Sequence, residues 1–244
     1  MRRVTLQPDD LAGGRVTFDA AESHHLTRVL RLRVGDTVLA TDGRGRDFTV
    51  RLESVGERAT GTVLAEAAGV APSPLAITLI QGVPKGDKME AIVRAATELG
   101  VACVRPALCA RTIVRLEPGR WRDRARRWQR VAREAAKQCR RAVIPEVEPP
   151  RPLAEWLAAS GAADLALCLW EGEGTPLGRL LAEATSPHTA VVVIGPEGGL
   201  APDEVATAGA HGFALASLGP RILRTETVGP AITAILQARF GDLG

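Results

Sequence analysis

The stretch that most limits what this chain can become is residues 190–227, AVVVIGPEGGLAPDEVATAGAHGFALASLGPRILRTET. It opens with Val191-Val192-Val193-Ile194, a short, β-branched and wholly apolar run of the kind found in strands buried on both faces. The run breaks at Gly195-Pro196-Glu197-Gly198-Gly199, where glycine permits positive φ and lets a ligand approach the main chain closely. A helix is expected next, with Pro202 near its first turn, Asp203 and Glu204 at its positive end and Gly212 near its exit. Residues 213–218 read as a second buried strand. It ends in Gly219-Pro220-Arg221-Ile222-Leu223-Arg224-Thr225-Glu226-Thr227, a loop with two arginines and a carboxylate. Two such strands joined by a helix describe half of a parallel α/β nucleotide site, because ligands settle outside the carboxyl ends of strands in open sheets. Either loop alone could be merely a tight strand-to-helix turn. The crowding of Arg221, Arg224 and Glu226 into the second favours a site.

The rest of the chain falls into two differently patterned parts. Short alternating runs at residues 2–6, 15–18, 37–41, 47–55 and 60–66, with turns at Gly13-Gly14, Asp42-Gly43-Arg44-Gly45 and Gly56, predict a small β-barrel. One short helix is expected over residues 22–30. The adjacent His24 and His25 would point ~100° apart on it, so they do not make a metal pair. Ala71-Pro72-Ser73-Pro74 breaks both helix and strand and marks the boundary, giving domains at 1–70 and 75–244. Beyond it the period becomes β-α-β. Strands are expected at 75–80, 101–106, 164–170, 191–194 and 213–218, and a helix is expected from Asp87, with Glu90 completing a capping box. That rhythm implies a parallel sheet with right-handed crossovers. The loop Gly82-Val83-Pro84-Lys85-Gly86-Asp87-Lys88 lacks the GK[ST] ending of a P-loop, though Lys85 and Lys88 could still meet phosphate. The last helix is expected over 225–240, with an apolar stripe of Val228, Ile232, Ile235 and Leu236 and with Pro230 tolerated in its first turn.

Charge distribution separates the function classes further. The net charge is only +3, yet residues 111–141 hold twelve Arg and Lys against three acids, a local +9 that leaves −6 elsewhere. A polyanion partner explains such sorting. Residues 121–141 form an amphipathic pattern, with Trp121, Ala125, Trp128, Ala132, Ala135 and Cys139 on one stripe. Arg122, Arg126, Arg127, Arg130, Arg133, Lys137, Arg140 and Arg141 fall on the other half, eight like charges that repel one another. No apolar run approaches the ~18 residues of a membrane span. Met1-Arg2-Arg3-Val4-Thr5 lacks the features of a signal peptide, so a cytoplasmic protein is expected. The four cysteines have neither CxxC nor metal-like spacing and read as small core residues, with Cys109 the least typical.

The two loops also carry a family resemblance. Ile194-Gly195-Pro196-Glu197-Gly198-Gly199 and Leu218-Gly219-Pro220-Arg221-Ile222-Leu223-Arg224-Thr225-Glu226-Thr227 resemble, in order and separation, the cofactor-loop motifs of the RsmE family. These are SPOUT-class, S-adenosylmethionine-dependent methyltransferases acting on N3 of a uridine in 16S ribosomal RNA. Val228 departs from the small alanine usual after the Glu-Thr pair. The run from His24 to Arg31 resembles the family's N-terminal PUA-like RNA-binding domain. Residues 88–101 and the close of the basic helix, Glu134 to Arg141, are similar to further family elements.

The resemblance implies an α/β fold in which a PUA-like β-barrel precedes a parallel-sheet SPOUT domain with a C-terminal trefoil knot. It also implies a homodimer, S-adenosylmethionine as cofactor, and 16S rRNA of the small ribosomal subunit as partner, with no metal and no membrane. On this reading Leu169, Ile194, Gly195, Pro196, Glu197, Gly198, Gly199, Leu218, Gly219, Ile222, Leu223 and Thr227 bind cofactor. Arg28, Arg31, Lys85, Lys88, Arg133, Arg140 and Arg141 contact RNA. Arg221 or Arg224 steadies negative charge on the uracil oxygens, and Glu226 orients an arginine or accepts the imide proton. A purely structural brace of Arg221, Arg224 and Glu226 is the competing assignment. No Asp or Glu stands where a dinucleotide fold keeps its ribose clamp, which argues against NAD. Two rival functions remain: a non-catalytic RNA-binding or ribosome-assembly factor, and a SPOUT enzyme methylating a ribose 2′-hydroxyl.

Overall fold

The computed structural model describes residues 2–7 and 10–244. The chain divides into two compact units, Met1–Pro72 with Arg133–Ile144, and Ser73–Ala132 with Pro145–Gly244.

In the first unit, β1 (Arg2–Thr5), β2 (Leu11–Ala12), β3 (Arg15–Thr17), β4 (Thr37–Thr41), β5 (Arg46–Ser54) and β6 (Thr60–Ala68) form one sheet in the order β1-β4-β5-β6-β3-β2. Every pairing is antiparallel except β1 with β4. Alternation puts Val4, Val16, Val38, Ala40, Phe48, Val50 and Leu52 into a core that Phe18 and Leu26 complete. The expected short helix is α1 (Ala20–His24), capped by Asp19 accepting from the Glu22 N–H at 2.8 Å. It continues as a wider π-helical turn, His25–Val29, closed by the Leu30 N–H on the His25 carbonyl.

The second unit alternates strand and helix. Its elements are β7 (Ala76–Gly82), α2 (Lys88–Glu98), β8 (Cys103–Leu108), α3 (Pro118–Cys139, whose last turns count with the first unit), β9 (Glu146–Val147) and β10 (Arg151–Pro152). There follow α4 (Leu153–Ala159), β11 (Leu165–Leu169), β12 (Thr175–Pro176), α5 (Leu177–Glu183), β13 (Thr189–Ile194), α6 (Pro202–Ala210), β14 (Ala214–Ser217) and α7 (Thr225–Phe240). The sheet order is β10-β8-β7-β13-β11-β14-β12 with β9 beside β8, and all of its pairings are parallel. The order matters for the site. β11 lies between β13 and β14, so the carboxyl ends of these three neighbours open onto one edge.

Several details differ from the sequence expectation. Residues 133–144 belong with the first unit, so the second is not the contiguous 75–244. Local backbone geometry and long-range bonds both explain this. Arg140 takes φ +66 and the Arg141 N–H returns to the Ala136 carbonyl at 3.0 Å, ending α3 in a Schellman turn. The chain beyond it then bonds to the β4–β5 turn, with Gly45 N–H on the Ala142 carbonyl at 3.1 Å and Ile144 N–H on that of Gly43 at 3.0 Å.

The apolar stripe of α3 is buried at Trp121, Ala125, Trp128, Ala132 and Ala135. Its charged half, however, is less free than the sequence suggests. Arg127 Nε meets Glu90 at 2.7 Å, and Lys137 meets both Glu22 and Glu134 at 2.7 Å. Asp87 makes no side-chain cap on α2, because its φ −95 and ψ 6 are not the extended backbone that capping needs. Pro230 lies inside α7 rather than in its first turn, withdrawing the N–H that would bond the Glu226 carbonyl. The buried face of α7 is Thr225, Gly229, Ile232, Thr233, Leu236 and Gln237, while Ile235 is exposed.

Candidate functional site

The carboxyl ends of β13 and β14 each run straight into a glycine-bearing loop, and the two loops enclose a cavity of about 630 Å³. Ile194 closes the buried run of β13 and delivers the chain to Gly195. A Cβ on Gly195 would stand 2.8 Å from the Gly199 carbonyl carbon, so the loop doubles back on itself only with glycine there. Gly199 takes φ +69 and its N–H returns to the Pro196 carbonyl at 2.9 Å. Beneath this turn lies a buried polar network. Gln81, at the end of β7, donates to Thr225 Oγ1 at 2.9 Å, and Thr225 donates to the Gly195 carbonyl at 2.7 Å. One side-chain relay therefore links β7, the first loop and the start of α7. From outside, Arg111 donates to the Gly198 carbonyl at 2.8 Å.

The cavity's charges sit around Lys88. Its ammonium lies 3.1 Å from Glu197 Oε1 and 3.3 Å from Glu226 Oε2, the latter off the line a hydrogen bond needs. The bond to Glu197 does most to raise the Lys88 pKa. The Glu226 carboxyl is held below the usual carboxylate range by its own backbone N–H at the start of α7, then by Lys88 and Arg224. Glu197 is likewise lowered: burial opposes the shift, but its own N–H, Lys88 and the Lys85 backbone N–H prevail. Arg224 is 83% exposed and stands 4.0 Å from Glu226, so its guanidinium remains available.

Of the residues singled out in the sequence, Leu169, Ile194, Gly195, Pro196, Glu197, Gly199, Leu218, Gly219, Ile222 and Leu223 line this cavity together with Arg221, Arg224 and Glu226. Gly198 does not; a Cβ there would face Arg111 at 3.2 Å. Thr227 is exposed outside it, ~200° around α7 from Thr225, which does line it. Lys88, expected at RNA, is part of the cavity, and Val228 lies at its edge. The other RNA candidates divide between the units. Lys85 is exposed in the second, and Arg28, Arg31 and Arg140 are exposed in the first. Arg133 is half-buried on Gln7 at 3.3 Å, and the Arg141 carbonyl accepts from Arg3 at 3.3 Å. Gln81, Thr225, Trp170 and Glu171 were not foreseen. The signal for Gln81 was an amide near the end of a mostly apolar strand.

Among the described residues no cluster of His, Cys, Asp and Glu could hold a metal ion, and no helix is long and apolar enough to cross a membrane. Burial pushes the thiols of Cys103, Cys109 and Cys168 up to about 12, which makes them poor nucleophiles.

Known proteins share this arrangement. A family model for an RNA methyltransferase domain matches residues 71–237, and one for an RNA methyltransferase PUA domain matches residues 18–60. Ribosomal RNA small subunit methyltransferase E of Synechocystis is 34% identical over 238 residues, covering 97% of this chain and 77% of that protein. The Bacillus subtilis protein of the same name is 30% identical, covering 84% and 83%. The crystal structure of ribosomal RNA small subunit methyltransferase E from Neisseria gonorrhoeae, bound to S-adenosylmethionine, superposes over 100% of both chains with a TM-score of 0.89 at 33% identity. These matches run through both units and both glycine loops, and the chain belongs to the ribosomal RNA small subunit methyltransferase E family.

Proposed function

We propose that this chain transfers a methyl group from S-adenosylmethionine to N3 of a uridine in 16S ribosomal RNA. The observation that carries the reading is the convergence of the two glycine loops with Arg221, Arg224, Glu226 and Lys88 on one cavity. The cofactor fits what the residues offer. A volume of about 630 Å³ lies within the range of small-molecule sites, and Gly195, with no room for a Cβ, leaves main-chain groups open to an adenine edge. Bound there, S-adenosylmethionine supplies an electrophilic methyl on a sulfonium.

The chain's own residues do the rest. Arg221 and Arg224 stabilise the charge that develops on the uracil carbonyl oxygens as the imide proton leaves. Glu226, ionised and tied to Lys88, is a weak base, so its part is to orient Lys88 and Arg224 rather than to take that proton. The exposed Arg28, Arg31, Lys85 and Arg140 provide contacts for the RNA backbone. The family resemblance extends the proposal to closure of the first sheet as a barrel, a trefoil knot in the second unit, a homodimer, and work in the cytoplasm on the small subunit.

Calorimetric titration with S-adenosylmethionine tests the reading, beside Ser217→Trp, which places an indole at the half-buried end of β14 on the cavity wall. The wild type binds and the variant does not. Nucleoside analysis of the treated 16S rRNA then yields 3-methyluridine. Absence of binding would return the chain to the RNA-binding reading, and a 2′-O-methylated product would move it to the ribose enzymes.

A further inference from the structure

The cavity contains three carboxylates, and only two are matched. Glu197 and Glu226 share Lys88, whereas the side chain of Glu171 has no hydrogen-bond or ion-pair partner among the described residues. Glu171 follows β11, the strand lying between β13 and β14, so it stands at the middle of the carboxyl edge with a glycine loop on either side. Its position is fixed from both directions. The Trp170 N–H bonds the Ala216 carbonyl at 3.2 Å, which carries the β11–β14 pairing to the residue before it. After it, a Cβ on Gly172 would lie 2.4 Å from the Trp170 ring, so the chain turns directly over the indole. The carboxylate itself rests against the first loop: Glu171 Oε1 is 2.6 Å from where Gly199 would carry a Cβ.

We propose that Glu171 accepts the two ribose hydroxyls of the cofactor, an inference that rests on the cofactor reading above. A vicinal cis-diol offers two O–H donors to the two oxygens of one carboxylate, the pairing that parallel nucleotide folds use for ribose. Placement selects the diol over the ligand's other groups. The adenine edge needs neutral main-chain donors and acceptors, which the glycine loops supply, and the methionine carboxylate is repelled by a second carboxylate. The ribose joins those two ends, and Glu171 occupies the position between the loops. Searching ~20 residues downstream of a glycine fingerprint misses this carboxylate, since it precedes both loops in the chain.

The test is calorimetric titration of the wild type and Glu171→Gln with S-adenosylmethionine, 5′-methylthioadenosine and 2′-deoxy-5′-methylthioadenosine, with ligand-free melting as the folding control. Loss of the charged acceptor should weaken S-adenosylmethionine and 5′-methylthioadenosine alike, by about tenfold. The wild type should lose a similar factor on removal of the 2′-hydroxyl, and the variant should not notice that removal. This wild-type arm holds whatever the variant does. Equal affinities of wild type and variant overturn the clamp. A loss confined to S-adenosylmethionine overturns it in favour of an ammonium contact. Should the wild type bind none of the three ligands, the cofactor reading falls together with the clamp; if it binds them without regard to the ribose hydroxyl, the clamp alone falls.

Discussion

Two lysines in this chain are each set between two glutamates, and they do opposite things. Lys137 lies 2.7 Å from Glu22 and 2.7 Å from Glu134, with only 8% of its side chain exposed, and Glu22 also accepts from Thr5 at 2.8 Å. Lys88 lies 3.1 and 3.3 Å from Glu197 and Glu226 at the wall of an open cavity, 35% exposed. The chemistry is the same and the surroundings differ. A buried ion cluster cannot give up a partner without stranding a charge, so it acts as a lock on the helix end that joins the first unit. A hydrated one exchanges partners cheaply, which suits a site where a ligand must enter.

Removing the buried lysine should produce the largest effect. Lys137→Met leaves Glu22 buried without its cation, and breaking such a pair costs about 3–5 kcal/mol. Urea unfolding followed by far-ultraviolet circular dichroism measures it, and adding Glu22→Gln should restore part of the loss. A change smaller than the ~1 kcal/mol of exposed pairs would erase the contrast between the two lysines. Next comes Arg224→Ala. With that side chain 83% exposed, folding and cofactor affinity should hold while kcat falls roughly 10²–10³-fold, the usual cost of losing one donor to developing charge. Full kcat in a folded variant would remove Arg224 from the chemistry. Lys88→Met should fall between structure and catalysis: the urea midpoint stays, and turnover drops on the order of tenfold to a hundredfold as Glu226 loses its anchor. A displaced midpoint would instead make Lys88 a second lock.

The same contrast explains what could be read in the sequence. The glycine loops were legible because local backbone rules determine them: mostly apolar runs end in short loops where Gly199 and Gly219 need φ of +69 and +91. The apolar stripe of α3 was legible for the same reason, since 3.6-residue spacing shows which face is buried. The partners of its charges were not. Arg127 finds Glu90, 37 positions away in sequence, and Lys137 finds Glu22, 115 positions away, pairings that no local pattern encodes. Glu171 was missed likewise, because its place between the loops follows from strand order and not from spacing. Thr227 was expected at the cavity through its motif, yet the first turn of α7 brings Thr225 there instead.

The smallest effects concern pH, and their signs separate the two clusters. The Lys137 pKa is raised above its ordinary 10.5: burial opposes the shift, but Glu134 and Glu22 outweigh it. Its stabilisation is therefore complete below 10.5 and is lost as pH rises through the folded value, so the stability gap between wild type and Lys137→Met should narrow as pH climbs through it. Glu197 and Glu226 are lowered from 4.5, so their contribution is present above that value and fades as pH falls through the folded ones. Between those limits the Lys88 cluster keeps a constant charge. Affinity for 5′-methylthioadenosine, which has no titrating group in the interval, should then be flat from about pH 5.5 to 9.5. A step inside that interval would mean that some other group titrates at the cavity wall, and the Lys88 triad would no longer account for its electrostatics.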